Sequence, residues 1–362
     1  MNKLAIFFHP YFSDGGVERT NLGLAKGLIQ NGYKVVFLTT TYTNHFLEEI
    51  KNSNIELVSL GDKKVSKTIF DIVSYLNNLD DKKIFFISCQ YYVNIVTMIA
   101  SLLVKNRKNI KFINAERNHY SEFTINGGLK NKIIPYLLKY FYSHADLIIA
   151  NSQETAQDLS SLINREVKSV YNPTINKRLD DLKDEAISEE WYLEDERDTI
   201  IGIGRFSKQK DFDTLIKAFY LFNKNKQYKL VILGDGDLRY ELEQQIIELN
   251  LQEDIYLPGF VSNPYKFLKQ SSLFVLSSRY EGLPNVLIEA LYLNTQSIAT
   301  RCKSGPKEIL LKDDRFLVEV GDYKELANKM KNVLANPIKK DFKLDRFQYE
   351  NIITEFIKVI EE

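Results

Sequence analysis

Four charged side chains in the second half of the chain have the types and spacing to hold a phosphorylated, hydroxyl-rich ligand. Arg205 and Lys210 follow an apolar run at Thr199 to Ile203, where a guanidinium fork and an ammonium point charge suit a diphosphate. Glu281 and Glu289 belong to the stretch YEGLPNVLIEALYL, Tyr280 to Leu293. Pro284 predicts a helix starting beside it, because its missing N–H costs nothing in a first turn. Glu281 then lies in the loop before the helix and Glu289 about a turn and a half inside it. Unpaired N–H groups and the positive end of the dipole at such a helix start favour phosphate. An ionised carboxylate accepts two hydroxyls at once and suits a ribose or a sugar ring. Spacing alone serves equally for solvated loop charges on an amphipathic helix, so the rest of the chain has to decide.

The elements that position these residues alternate along the sequence. Leu4 to Phe8 predicts a buried strand, followed by a loop ending Asp14-Gly15-Gly16 and a helix over Val17 to Leu28 that stops at Gly32. Further strands are predicted at Val35–Leu38, Ile84–Ile87, Ile110–Ile113 and Leu147–Ala150, with helices near Val65–Leu79, Asn94–Val104 and Leu129–Tyr142. Regularity stops at Tyr171-Asn172-Pro173, where proline ends the structure. A second series then opens at Thr199: strand, Gly204-Arg205, a helix from Asp211 to Phe222, strand Leu230–Leu233, Gly234-Asp235-Gly236, a helix to Leu249, and strands Ile255–Leu257 and Leu273–Leu276 before the glutamate-bearing helix. Strands alternating with helices predict doubly wound parallel sheets. The expected division is 1–173, with a terminal helix from 345–362 returning to it, and 174–344. Ligand loops at the strand ends of two such sheets are expected to meet across a cleft.

At 362 residues, 44% hydrophobic and 27% charged, the chain suits two globular domains. Lys and Arg balance Asp and Glu, 48 against 48, which gives no pull toward nucleic acid, although the first half is mildly basic. Cys89 and Cys302 are too few and too far apart for a disulfide framework or thiolate metal site. His9, His45, His119 and His144 have no ligand spacing. With no leader and no membrane-spanning run, a cytoplasmic setting is expected. Asp211-Phe212-Asp213 and Asp235-Gly236-Asp237 imitate a metal-binding pair, but both are expected to cap helices. There is no phosphate-binding P-loop and no nucleophile elbow.

Taken together, Gly15-Gly16-Val17-Glu18, Asn151-Ser152, Tyr171-Asn172-Pro173, Gly204-Arg205 with Lys210, Gly234-Asp235-Gly236, Gly259-Phe260-Val261, Glu281 with Glu289, and Ser304-Gly305-Pro306 resemble the family 4 glycosyltransferases over most of the chain. The resemblance implies an α/β GT-B fold, two Rossmann-like doubly wound domains facing a cleft. It implies a retaining, hexosyltransferase-type enzyme of bacterial surface polysaccharide synthesis, such as capsule or lipopolysaccharide, that uses a nucleotide-sugar donor, expected to be a UDP-sugar, without cofactor or metal. By position, Arg205 and Lys210 would neutralise the donor diphosphate, Glu289 would bind the ribose and Glu281 would lie beside the sugar. Backbone of Gly15, Gly16, Gly204 and of Gly282, Leu283, Pro284 and Asn285 would cradle phosphate and sugar, and Phe260 and Val261 would flank the base. A nucleotide-sugar 2-epimerase of the same fold, or a non-catalytic partner subunit, are the competing readings; both glutamates with Arg205 and Lys210 favour the transferase.

One departure stands out. Many relatives carry a histidine where this chain reads Glu116-Arg117-Asn118-His119, and Arg117 takes its place as the expected donor contact, with Glu116 and His119 as alternatives. The acceptor is expected to be a glycan or a lipid-linked glycan at the inner face of the membrane. Leu129–Tyr142 combines Lys130, Lys132 and Lys139 with Ile133, Ile134, Leu137, Leu138 and Phe141, a pattern for a basic interfacial helix or for a core helix, with Pro135 expected to interrupt it.

Overall fold

The computed structural model describes residues 3–12, 15–42, 47–79, 83–117 and 129–362. The chain divides into two compact units, Met1–Pro173 with Arg346–Glu362, and Thr174–Asp345. Each is a Rossmann-like α/β unit built on a parallel sheet.

In the first unit the strands of the main sheet are β1 (Lys3–Phe8), β2 (Tyr33–Thr39), β3 (Glu56–Ser59), β4 (Lys83–Cys89), β5 (Ile110–Glu116), β6 (Leu147–Ala150) and β7 (Lys168–Ser169). They pair in the order β3-β2-β1-β4-β5-β6-β7, all parallel. The continuous apolar run of β1 is explained by burial on both faces. Ala5 and Phe7 enter one core cluster with α1 (Gly16–Gln30), while Leu4, Ile6 and Phe8 enter another with α2 (Ile69–Asn77), α3 (Tyr91–Ser101) and α4 (Leu129–Tyr142). A further helix, α5 (Gln153–Ile163), is capped by Ser152, whose hydroxyl accepts the N–H of Thr155.

Three expectations need correction here. The helix expected over Val65–Leu79 is a 3₁₀ turn, Val65–Lys67, followed by α2; Thr68 separates them, its hydroxyl donating to the carbonyl of Val65 at 2.7 Å. The helix expected from Asn94 starts at Tyr91 and ends at Ser101. Pro135 does not interrupt α4: it forfeits one backbone bond, and the burial of Leu138 and Tyr142 in the core holds the helix across it. Asp14, His45 and His119 lie outside the described residues.

The second unit contains β8 (Asp198–Ile203), α6 (Phe212–Phe222), β9 (Tyr228–Leu233), α7 (Arg239–Glu248), β10 (Ile255–Gly259), α8 (Tyr265–Gln270), β11 (Leu273–Leu276), α9 (Asn285–Tyr292), β12 (Ser297–Thr300), α10 (Pro306–Ile309), β13 (Leu317–Val318) and α11 (Tyr323–Ala335). Its sheet runs β10-β9-β8-β11-β12-β13. Strand order therefore reverses between β8 and β11, the position at which open α/β sheets bind ligands.

The last helix, α12 (Tyr349–Glu361), packs on α1 of the first unit. Its apolar stripe, Ile352, Ile353, Phe356 and Ile360, is buried in the β1 cluster. Gly27 of α1 makes that approach possible, because any Cβ there would overlap the side chain of Ile353. Glu361 is bonded to both Lys3 and Tyr33.

Candidate active site

The reversal point of the second sheet is bridged by charge. Lys210, in the loop between β8 and α6, places Nζ 2.6 Å from Oε1 of Glu281, in the loop between β11 and α9. Glu281 is 6% exposed and also accepts the hydroxyl of Ser278 at 2.6 Å. The two loops are laced by their backbones as well: Ser277 Oγ donates to the carbonyl of Lys210 at 2.7 Å, Gln209 Nε2 to that of Tyr280 at 3.0 Å, and Arg279 N–H to that of Gln209 at 2.8 Å. A buried ion pair with this second layer of bonds is held in one geometry, which compensates part of its desolvation.

Arg205 stands differently. Its side chain is 71% exposed and lies 3.6 Å from Asp237, itself almost fully exposed. Such a pair contributes little, so the guanidinium is available to an anion. Gly204 and Gly234 let the ends of β8 and β9 touch: Gly234 has φ +137, and a Cβ there would fall on the carbonyl oxygen of Gly204.

Helix α9 begins with Pro284 at its N-cap, whose side chain makes no cap bond. Gly282, Leu283 and Pro284 are buried in the loop before it. Ser304 Oγ donates to the carbonyl of Gly282 at 2.9 Å, and Gly305 packs against Pro284, so the loop before α10 supports the one before α9. Asn285 accepts the hydroxyl of Thr174 at 3.2 Å. Glu289, half-buried within α9, faces the hydroxyl of Tyr265 at 3.5 Å. Phe260 is exposed and Val261 half-buried just after β10.

The aspartates do not cap as expected. Asp211 is the N-cap of α6 but has φ +50 and makes no cap bond; its carboxylate pairs with Arg279 at 3.0 Å and accepts the hydroxyl of Thr214 at 3.0 Å. Asp235 and Asp237 precede α7, whose N-cap is Leu238. Asp235 accepts the N–H of Gly236 at 2.8 Å and Nε of Arg239 at 2.9 Å. In each case an arginine outcompetes the helix N–H groups for the carboxylate.

In the first unit, strand order reverses between β1 and β4. Gly15 is the N-cap of α1 and Gly16 its first residue. Arg117 follows β5 and is 7% exposed. Its Nη1 donates to Asn172 Oδ1 at 2.9 Å and Nη2 to Asn21 Oδ1 at 3.2 Å, and its own carbonyl accepts from Asn151 at 3.2 Å. Nε has no partner among the described residues. The guanidinium thus ties α1 to the segment leaving the first unit through neutral amides. Nothing in the sequence periodicity announces Asn21 or Asn172 as its partners.

Glu116 points to the opposite face of the sheet, as neighbours on a strand must. Its Oε1 accepts from Asn94 Nδ2 at 2.8 Å and from the hydroxyl of Tyr142. Burial pushes its carboxyl up to about 7, against the smaller opposing effects of those bonds and of Arg117. A folded-state value above the unfolded one means that stability from this group is full below about 4.5 and is lost as pH rises toward 7. The stability advantage of Glu116→Gln over wild type should therefore grow across that window by about 3 kcal/mol. Urea denaturation of both proteins across the same pH range measures it; a difference independent of pH would refute the assignment.

Comparison with known proteins agrees with this architecture. Residues 14–174 match the family described as Glycosyltransferase Family 4, and residues 183–351 match Glycosyl transferases group 1. A Campylobacter jejuni protein, N-acetylgalactosamine-N,N'-diacetylbacillosaminyl-diphospho-undecaprenol 4-alpha-N-acetylgalactosaminyltransferase, is 31% identical over 359 residues, 93% of this chain and 91% of that one. An uncharacterized glycosyltransferase of Methanocaldococcus jannaschii is 41% identical over 222 residues, 60% of this chain and 54% of that protein. Among solved structures, HepE of Anabaena in complex with UDP-glucose superposes with a TM-score of 0.78 at 18% identity, covering 99% of both chains, a likeness of fold. The chain belongs to the family 4 glycosyltransferases and has their pair of Rossmann-like units.

Proposed function

We propose that the chain transfers a sugar from a nucleoside diphosphate sugar, with uridine as the expected base, to a lipid-linked glycan in surface polysaccharide synthesis, with retention of anomeric configuration. The observation that carries this reading is the Lys210–Glu281 pair across the reversal point of the second sheet, flanked by exposed Arg205 and by the start of α9. The UDP-glucose complex of HepE and the diphospho-undecaprenol substrate in the Campylobacter enzyme's name support the choice of donor and acceptor.

The chemistry follows from charge. The bond from the anomeric carbon to the β-phosphate oxygen breaks, and its electron pair leaves with the nucleoside diphosphate. The acceptor oxygen bonds to the anomeric carbon on the same face, and its proton passes to the departing phosphate oxygen. Negative charge grows at the leaving group, where Lys210, held by Glu281, is a fixed donor that needs no reorganisation, and Arg205 and the N–H groups of Gly282, Leu283 and Asn285 add further donors. No metal is required in this scheme. Glu281 orients Lys210 and faces the sugar, Glu289 takes the ribose hydroxyls, and Phe260 and Val261 flank the base. In the first unit, Gly15, Gly16 and Arg117 offer backbone N–H and a buried cation to phosphate or sugar.

The test separates the two glutamates. Glu289→Ala should weaken nucleotide binding by about tenfold or more, the loss of two hydrogen bonds to a charged acceptor, whereas Glu281→Ala should act mainly on kcat. Calorimetric titration with UDP and steady-state turnover in excess chelator measure both. Unchanged UDP affinity in Glu289→Ala, or turnover abolished by chelator and restored by manganese, would overturn these assignments.

A further inference from the structure

The amino-terminal edge of the first unit's sheet, opposite its ligand edge, carries a row of lysines. Lys3 opens β1 and Lys83 opens β4, and the two are register partners on adjacent parallel strands. Lys111 is the second residue of β5, the next strand along, and Lys168 opens β7. Side chains two apart on a strand share a face, which puts Lys3 on the side of Ala5 and Phe7, Lys83 on the side of Phe85 and Ile87, and Lys111 on the side of Ile113. All of these neighbours belong to the one core cluster that α12 covers. The four lysines are half-buried, and strands about 4.8 Å apart bring their charges close enough to repel.

The end of α12 supplies anions to the flanks of this row. Glu361 pairs with Lys3 and accepts the hydroxyl of Tyr33, and Glu362 pairs with Lys168. Lys83 and Lys111, in the middle, have no carboxylate partner among the described residues. Asp146, just before β6, is committed elsewhere: it pairs with Arg107 at 2.8 Å and accepts the N–H of Phe112 at 2.7 Å. Lys83 Nζ lies over the ring of Phe85, 5.1 Å from its centre, which does not discharge it. The crowding is felt at Lys111, whose pKa is lowered by burial first and by the charge of Lys83 next, with Asp146 and Glu362 opposing and Lys168 adding to the fall.

We propose that Lys83 and Lys111, flanked by Lys3 and Lys168, bind a short phosphate chain of the pyrophosphate kind, at a site separate from that of the donor. Each flank is served by a single carboxylate, so the row already takes anions. The central pair stands on adjacent strands and calls for an anion with charge on two linked groups, and lysine meets phosphate as a point charge. Glu361 and Glu362 hold the flanking lysines and repel the ligand, which limits its affinity. Binding relieves the repulsion between Lys83 and Lys111, stabilises the first unit and depends strongly on ionic strength.

The experiment is calorimetric titration of the intact chain with pyrophosphate, in saturating UDP so that the phosphate contacts of the second unit are already taken. Wild type should bind a single equivalent and lose it at high salt. Arg205→Met/Lys210→Met should bind pyrophosphate as wild type does, which keeps this site distinct from the donor assignment whether or not that assignment holds. Lys83→Gln/Lys111→Gln should bind at least about tenfold more weakly, with unchanged UDP affinity and unchanged melting in the absence of pyrophosphate. Glu361→Gln/Glu362→Gln should bind about threefold more tightly or better, an effect that glutamates serving only to fasten α12 would not produce. No binding by wild type, or equal binding by wild type and the lysine variant, would overturn the proposal. So would an equal affinity for orthophosphate, since the site would then not read two linked groups.

Discussion

Replacing Lys210 by methionine should lower kcat by about two to three orders of magnitude, with a smaller effect on UDP affinity. The side chain is held at the reversal point by Glu281, itself fixed by Ser278, and such a preorganised cation is worth most when charge reaches the leaving oxygen. The substitution also strands a carboxylate that is 6% exposed, and an unpaired buried charge costs about 3 to 5 kcal/mol of stability. Combining Lys210→Met with Glu281→Gln removes that penalty and separates the two effects. The double variant should recover thermal stability and remain inactive. If it regains turnover along with stability, Lys210 serves the fold and not the reaction. The measurements are single-turnover rates and melting temperature on the same samples.

A second large effect is expected from a position with no chemistry of its own. Gly234→Ala should destabilise the second unit by several kcal/mol and weaken nucleotide binding at the same time. Gly234 has φ +137, and a methyl group there would collide with the carbonyl of Gly204, at the end of the strand that leads to Arg205. A non-glycine residue held in such backbone costs about 1 to 3 kcal/mol before any clash is counted. The loop has to move, and Arg205 moves with it. A variant that melts and binds UDP as wild type does would show that the two strand ends have slack. By contrast Gly16, where a Cβ would meet nothing within 4 Å, should accept alanine with little loss of stability.

Much of this was legible in the sequence, for identifiable reasons. Strands buried on both faces read as unbroken apolar runs, so β1, β6 and β11 were visible as such. The short strands Lys168–Ser169 and Leu317–Val318 were not, because two residues carry no period. Type and spacing single out Glu281, Lys210 and Arg205 as candidates, but do not show their different environments. Lys210 is paired and mostly covered while Arg205 is open to solvent, a difference set by which loop folds over them. The aspartates before α6 and α7 depart from helix-cap preference because that rule ignores competition from Arg279 and Arg239, which come from elsewhere in the fold or the next turn. For α4 the sequence offers a choice between core helix and interfacial helix, and the structure buries one face, with Leu138 and Tyr142, in the core and leaves Ile133, Tyr136 and Tyr140 exposed. The amide partners of Arg117 come from Asn21 and Asn172, far away along the chain, where no local rule reaches.

The central claim is that the second unit holds a nucleoside diphosphate by its phosphates, with Arg205 and Lys210 as the charges responsible. Calorimetric titration of the intact chain with UDP, GDP and ADP, each beside its parent nucleoside, tests it directly. One diphosphate should bind at least about a hundredfold more tightly than its nucleoside, the worth of two charge-assisted contacts, and Arg205→Met/Lys210→Met should close that gap. A chain that binds the nucleoside as well as the diphosphate, or a double variant that keeps the full difference, would contradict the account.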